Sequence, residues 1–214
     1  MARSEEVDAF TEPGKYRSPG YDTESRFVSY WHQLNETLSL GDGKVLEVGI
    51  GSGLLSYLLR SRGVDLTTVD LDERLEPDFV ADVTGLPFED SAFSTVVCFE
   101  VLEHLPWPSV SRALSELHRV SAGHVLVSLP DLRRKYRVFF QFYREKWTFK
   151  KVLVLPWERR LTRSRDREHC WEIGVKGYPL SRIEMEFRRG GFSIERQFVP
   201  FGNPYHRFFK LRKA

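Results

Sequence analysis

Glu100, Glu103 and His104 lie in the run Glu-Val-Leu-Glu-His, which sets two carboxylates and an imidazole within five residues. If residues 100–104 make one helical turn, spacings of three and four bring the three side chains together. That donor set suits a hard divalent cation such as Mg or Mn. Such an ion lowers the pKa of a bound hydroxyl and holds it in place. Without a cation, His104 is the leading general base, because an unperturbed imidazole titrates near neutrality. His104 and Glu100 are therefore the candidate catalytic pair, and Glu100, Glu103 and His104 the candidate metal ligands. A further ligand has to come from elsewhere, and His169, in Glu168-His169-Cys170-Trp171-Glu172, is the candidate. His169 and Trp171 are also candidate substrate contacts, since an indole can stack on a planar or sugar group. The plainer role for Trp171 is to anchor its segment on the core.

Something must hold that cluster, and the stretch from Val45 supplies it. Val45-Leu46-Glu47-Val48-Gly49-Ile50-Gly51-Ser52-Gly53 reads as a buried strand followed by a glycine turn. Leu54, Leu55, Tyr57, Leu58 and Leu59 then form an apolar helical run, with Gly63 placed to end it. Glycines at 49, 51 and 53 allow positive φ and close approach of a nucleotide to the backbone. Leu66–Asp70 is a second strand ending in a carboxylate positioned for ribose hydroxyls. The third glycine of a GxGxxG dinucleotide fingerprint would fall at Leu54, and here it falls at Gly53. Asp82 heads the turn-bounded segment Ala81–Phe88, and Phe93–Phe99 is a β-branched and aromatic strand that leads into Glu100.

In this order, these segments resemble the class I S-adenosylmethionine-dependent methyltransferases over about residues 43–130. The closest likeness is to the group that includes ubiquinone-pathway O-methyltransferases. The resemblance implies cofactor contacts from Glu47, Gly49, Gly51, Gly53, Asp70, Leu71, Asp82, Val83 and Phe99. In it, Asp70 holds the ribose, while Asp82 and the Val83 backbone meet the adenine. Ser94 departs from the pattern, which usually has Asp before the fourth strand. Glu-x-x-Glu-His also occurs in two metal-dependent kinds of methyltransferase, one acting on catechol-type quinone precursors and one on the terminal 2′-hydroxyl of small RNAs. Leu-Glu-His alone is frequent in metal-free relatives. The implied activity is O-methylation of a small-molecule, sugar or lipid-linked acceptor. The alternatives are metal-dependent RNA 2′-O-methylation and a non-catalytic cofactor-binding partner protein.

The expected fold is α/β, a Rossmann-like and mostly parallel sheet closed by a C-terminal antiparallel hairpin. One domain is expected to span residues 1–214, with a polar N-terminal arm over 1–24. Phe27, Tyr30, Trp31, Leu34 and Leu38 recur at helical spacing and predict an amphipathic helix. Later elements are a helix over 109–119, a strand over 124–129, a helix opened by the capping box Ser181-x-x-Glu184, and strands over 192–199 and 206–212. Asn203-Pro204-Tyr205-His206 is read as the turn between the last two.

A basic, aromatic insertion over 131–177 interrupts this alternation. Leu132, Tyr136, Phe139, Tyr143 and Trp147 fall at helical spacing, so a helix is expected there. Between Leu132 and Arg167, thirteen basic residues face three acidic ones, which leaves +10 there. The chain's net +2 then requires −8 elsewhere, an asymmetry that calls for a functional explanation. Three roles compete: binding an anionic acceptor, resting residues 132–167 on an anionic membrane surface, or forming a lid packed by its aromatics. A lid with an anion-binding role is preferred. Nucleic acid ranks lower, because the net charge is small and no RNA-binding module is appended. The N-terminus is too polar for a signal peptide, and no apolar stretch approaches a membrane span. Two cysteines, Cys98 and Cys170, are too few for a disulfide framework, so a cytoplasmic setting is expected.

Overall fold

The computed structural model describes residues 14–18, 20–143, 147–155 and 168–214. Its main elements are α1 (Glu24–Leu38), β1 (Val45–Val48), α2 (Leu54–Arg60), β2 (Leu66–Asp70), β3 (Phe79–Val80), β4 (Phe93–Phe99) and α3 (Trp107–Val120). These are followed by β5 (Ser121–Pro130), β6 (Lys135–Phe142), β7 (Trp147–Val154), α4 (Leu180–Arg189), β8 (Phe192–Phe198) and β9 (His206–Lys213). Seven strands form one sheet in the order β3-β2-β1-β4-β5-β9-β8. β1 to β5 pair in parallel, and β9 runs antiparallel between β5 and β8. The order reverses between β1 and β4, which opens a crevice at the carboxyl ends of those strands.

The two-residue period of the strands sorts their side chains onto two helix-covered faces. Leu46, Val96, Val127 and Phe209 meet Leu114 and Leu117 of α3 and Phe187 of α4 on one face. Val45, Val97, Leu126 and Phe208 meet Leu55 and Leu59 of α2 on the other. Burying each such side chain contributes about 1.5–3 kcal/mol, so the frame that carries residues 99–104 is stiff.

Three local expectations are corrected. The helix over 24–38 forms, but its apolar stripe is only partly covered: Leu34 packs against the core and Tyr30 lines the cavity, Phe27 is 53 % and Trp31 58 % exposed, and Ser29, Gln33, Glu36 and Thr37 are buried. The buried polar side chains have partners of their own: Ser29 and Gln33 line the crevice, Thr37 donates to the Gln33 carbonyl, and Glu36 pairs with Arg196. The capping box at Ser181 is absent; α4 starts after Pro179 with no side-chain cap, and Glu184 instead accepts from Gln197. The helix expected over 132–147 is replaced by a two-stranded antiparallel ribbon, β6 with β7. Aromatic and β-branched residues favour strands, and their density here satisfied both periods at once. Tyr136 pairs with Leu153, Phe140 with Phe149 and Phe142 with Trp147, all six exposed on one side of the ribbon.

The ribbon is rooted firmly. Asp131 bridges Ile173 as the chain leaves the sheet and returns to it. Its fully buried carboxylate takes Arg133, Lys135 and Arg207, and these ion pairs and hydrogen bonds outweigh burial to hold it down at about 2. The arm expected over 1–24 is described from Gly14, and its Tyr16 and Tyr21 lie over the crevice. Residues 1–13 and the arginine-rich 159–167 lie outside the described residues.

Candidate functional site

A cavity of about 430 Å³ occupies the crevice. Its floor is the turn after β1. Gly49 has φ +81 and leaves no room for a Cβ, which would stand 2.3 Å from Val101 Cγ2. A side chain there would push Val101, and Glu100 before it, out of place. Gly51 lies under the Tyr16 ring. Asp70 closes the turn by accepting from the Ile50 N–H at 2.8 Å and the Asp72 N–H at 3.0 Å, and burial raises its pKa despite those bonds. Asp82 accepts from the backbone and hydroxyl of Thr84. Glu47 accepts from Ser56 Oγ at 2.6 Å, and burial pushes its carboxyl up to about 7.

Of the residues expected to meet the cofactor, Glu47, Gly49, Gly51, Asp70, Leu71, Asp82, Val83 and Phe99 line this cavity. Gly53 does not; it sits at φ +73 as the cap of α2, where its role is to turn the chain. Glu100 and His104 line the cavity on the side next to β4, and Glu103 and His169 lie behind them.

Glu100 follows β4 with φ +55, a left-handed conformation that costs a non-glycine residue of order 1 kcal/mol. One of its oxygens, Oε1, is buried with no hydrogen-bond partner among the described residues. Leu102–His104 form a single tight turn. Glu103 is fully buried and its carboxyl faces that of Glu100, so a hydrogen bond between them needs a proton on one of the two; with both ionised, its oxygens have no donor side chain among the described residues. Burial first, and the adjoining Glu100 second, hold its pKa well above the carboxylate range.

Ligating atoms of Glu103, His104 and His169 all lie within 4.8 Å of one another. This set holds Glu103, His104 and the expected further ligand His169, and it differs from the expected one in leaving Glu100 beside it. Each imidazole is oriented through Nδ1. His104 Nδ1 is 3.2 Å from the Glu168 carbonyl oxygen, and His169 Nδ1 is 2.6 Å from Glu172 Oε1. An acceptor at Nδ1 makes that nitrogen the N–H and leaves Nε2 as the lone-pair nitrogen, the arrangement metal-ligating histidines share. Burial, and His169 after it, lower the His104 pKa, which keeps that ring neutral. The segment 168–172 is pinned here by Cys170, whose N–H donates to the Glu103 carbonyl, and by an ion pair of Glu168 with Lys15 of the arm.

Trp171 is not a substrate contact. It is 1 % exposed, its indole N–H donates to the Leu105 carbonyl, and its ring packs edge-on against Trp107 and stacked on Tyr178.

Several site residues went unrecognised in the sequence: Tyr16, Tyr21, Arg26, Ser29, Tyr30, Gln33 and His206 all line the cavity. The α1 residues could have been found from the helical spacing that puts Arg26, Ser29, Tyr30 and Gln33 on one face. His206 was hidden inside an apparent turn. Asn203 Nδ2 donates to Ser29 Oγ at 2.8 Å, Ser29 Oγ lies 2.8 Å from His206 Nδ1, and His206 Nε2 lies 3.3 Å from Glu100 Oε2. Burial lowers the His206 pKa against the opposing pull of Glu100.

The crevice lies at the carboxyl ends of a mostly parallel sheet, and residues 46–127 match a family model described as a methyltransferase domain. Among relatives, the chain is 32 % identical over 143 residues to the ubiquinone biosynthesis O-methyltransferase of Pseudomonas aeruginosa (strain UCBPP-PA14), covering 56 % of this chain and 61 % of that one. It is 35 % identical over 122 residues to that of Dechloromonas aromatica (strain RCB), covering 50 % and 52 %. The chain thus spans a little over half the length of these relatives. In three dimensions it resembles the N-methyltransferase NodS of Bradyrhizobium japonicum WM9, with a TM-score of 0.66 at 13 % identity over 99 % of this chain and 97 % of that one. It also resembles the magnesium protoporphyrin IX methyltransferase of Synechocystis PCC 6803, with a TM-score of 0.61 at 15 % identity over 99 % and 93 %. These likenesses show the fold.

Proposed function

We propose that this protein is an S-adenosylmethionine-dependent methyltransferase that O-methylates a small acceptor bearing a hydroxyl beside a second oxygen, as a catechol does. The observation that carries this reading is one continuous site. A cavity floored by the glycine turn and flanked by Asp70 and Asp82 ends at Glu100 and His104, with Glu103 and His169 directly behind.

The bound cofactor supplies a methyl carbon already activated on a sulfonium, so the chain has chiefly to align acceptor and donor. Gly49 and Gly51 admit the methionine end close to the backbone, with Glu47 and Phe99 beside it. Asp70 and Leu71 receive the ribose, and Asp82 with the Val83 backbone receives the adenine. Tyr16 and Tyr21 of the arm cover the cavity and limit water.

The donor set also supports a divalent cation, Mg or Mn, held by Glu103, His104 and His169. A fully buried carboxyl that faces Glu100 lies beside two oriented imidazoles, and a cation would take the place of the proton the two carboxyls share. Such an ion would lower the pKa of the acceptor hydroxyl. Glu100, at the cavity wall, takes the proton, and His206 beside its Oε2 steadies the carboxylate. In the absence of an ion His104 is the base, kept neutral by its burial.

The β6–β7 ribbon is assigned contact with an anionic lipid surface that brings the acceptor. Its support is the exposed row of Tyr136, Phe140, Phe142, Trp147, Phe149 and Leu153, with Arg137, Lys150 and Lys151 on the same ribbon. No described helix is long and apolar enough to cross a membrane. RNA ends are the alternative acceptor, and their binding would weaken steeply with salt.

Calorimetric titration with S-adenosylhomocysteine tests the cofactor half. The wild type should bind saturably, and Asp70→Ala should weaken binding roughly 10- to 100-fold, the loss expected for hydrogen bonds to a charged group. Absence of saturable binding by the wild type would remove the reading.

A further inference from the structure

One carboxylate behind the site has no part in the scheme above. Glu172 is fully buried, and its Oε1 accepts from two side chains at once: His169 Nδ1 at 2.6 Å and the Tyr205 hydroxyl at 2.7 Å. The three residues come from two separate parts of the chain. His169 and Glu172 lie where the insertion returns to the sheet, and Tyr205 immediately precedes β9. The Tyr205 end is itself fixed. Its N–H donates to Asn203 Oδ1 at 3.3 Å, and its carbonyl accepts from the Asp131 N–H at 2.7 Å. Tyr205 therefore approaches Glu172 from a rigid edge of the main sheet.

We propose that Glu172 and Tyr205 are positioning residues that fix the tautomer and aim of His169 and so set the cation affinity of the Glu103–His104–His169 site. The inference rests on the cation reading given above. An imidazole whose Nδ1–H donates to a carboxylate presents Nε2 as its basic nitrogen and becomes a stronger donor to a metal. The carboxylate must itself be prevented from swinging away, and the Tyr205 hydroxyl does this by binding the same oxygen. The Asn203-Pro204-Tyr205-His206 run is thus a two-sided brace, with Tyr205 acting on His169 through Glu172 and His206 acting on Glu100.

The test is calorimetric titration of Mn²⁺ into protein saturated with S-adenosylhomocysteine, for the wild type, Glu172→Gln and Tyr205→Phe. Glu172→Gln keeps the size of the side chain and removes its charge, and should weaken Mn²⁺ binding about 10- to 100-fold. Tyr205→Phe removes one hydrogen bond and should weaken it by a smaller factor, roughly 2- to 10-fold. The affinity for S-adenosylhomocysteine should stay at the wild-type value in both, which separates a positioning effect from a folding defect. If Glu172→Gln no longer holds S-adenosylhomocysteine, the milder Tyr205→Phe decides. Wild-type Mn²⁺ affinity in Tyr205→Phe and in folded Glu172→Gln would overturn the inference and leave the cation site standing. Failure of the wild type to bind Mn²⁺ would overturn the cation reading itself, a different result.

Discussion

Replacing Glu103 by Gln should stabilise the metal-free protein while abolishing its response to Mn²⁺. Glu103 is fully buried, its side-chain partner is the carboxyl of Glu100, and once its proton is lost neither of its oxygens has a donor side chain among the described residues. Leaving such a polar group unsatisfied costs about 1–3 kcal/mol, more when it is charged. In the Gln variant the charge is gone, and the amide N–H can donate to Glu100 Oε1. A gain of about 1–3 kcal/mol follows, worth roughly 2–4 °C of melting temperature per kcal/mol in a domain of this size. The pH dependence has a definite sign. Burial and Glu100 raise the folded pKa of Glu103 above the unfolded value. The folded state therefore binds the proton more tightly, and this contribution to stability is full below the unfolded pKa of about 4.3 and lost as pH rises through the folded one. Glutamine has no such loss, so its advantage should widen between pH 5 and pH 8. The assay is thermal melting in chelator across that range, repeated with excess Mn²⁺. At a hundredfold excess over its dissociation constant, Mn²⁺ should stabilise the wild type by about 2.7 kcal/mol and leave the variant unmoved. A variant that melts below the wild type in chelator at pH 8, and still responds to Mn²⁺, would refute the reasoning.

Other predictions follow from the same structure. Trp171→Ala should cost about 3–5 kcal/mol of stability, as for a buried aromatic; chemical denaturation checks this, and a near-neutral result would return Trp171 to the acceptor side. The pair Phe142→Ser and Trp147→Ser should abolish sedimentation with vesicles rich in anionic lipid while S-adenosylhomocysteine affinity is unchanged. His206→Gln should keep Mn²⁺ affinity but lower kcat roughly 10-fold or more with little change in KM, the signature of a group that acts beside the proton acceptor.

Most of the frame was legible because its signals are local and periodic. The β1 strand, the glycine turn, Asp70 and the strand before Glu100 all follow from residues adjacent in sequence, and they put eight of the expected cofactor contacts on the cavity wall. The ribbon was misread because Tyr136, Phe139, Tyr143 and Trp147 satisfy a helical period while Tyr136, Val138, Phe140 and Phe142 satisfy a strand period. Only pairing with β7 decides between them. The α1 face was misread in part for the opposite reason: hydrophobicity marks what a helix would bury in a dry core, and this helix turns Ser29 and Gln33 to the ligand cavity while Phe27 and Trp31 stay exposed. His169 joining Glu103 and His104 was accessible as a guess about residue type. Glu172, Tyr205 and His206 were not, since a brace built from positions 172, 205 and 206 exists only after the sheet has folded.

The most direct test of the central claim is transfer of a labelled methyl group from S-adenosylmethionine to a catechol acceptor, with Mn²⁺ and with chelator. The account predicts a methylated hydroxyl and stoichiometric S-adenosylhomocysteine with Mn²⁺, lost in chelator and in Glu103→Ala, while cofactor affinity persists. Turnover undiminished by chelator and by Glu103→Ala would contradict the cation-assisted site. Absence of transfer to any hydroxyl acceptor, in protein that binds the cofactor and Mn²⁺, would contradict O-methylation.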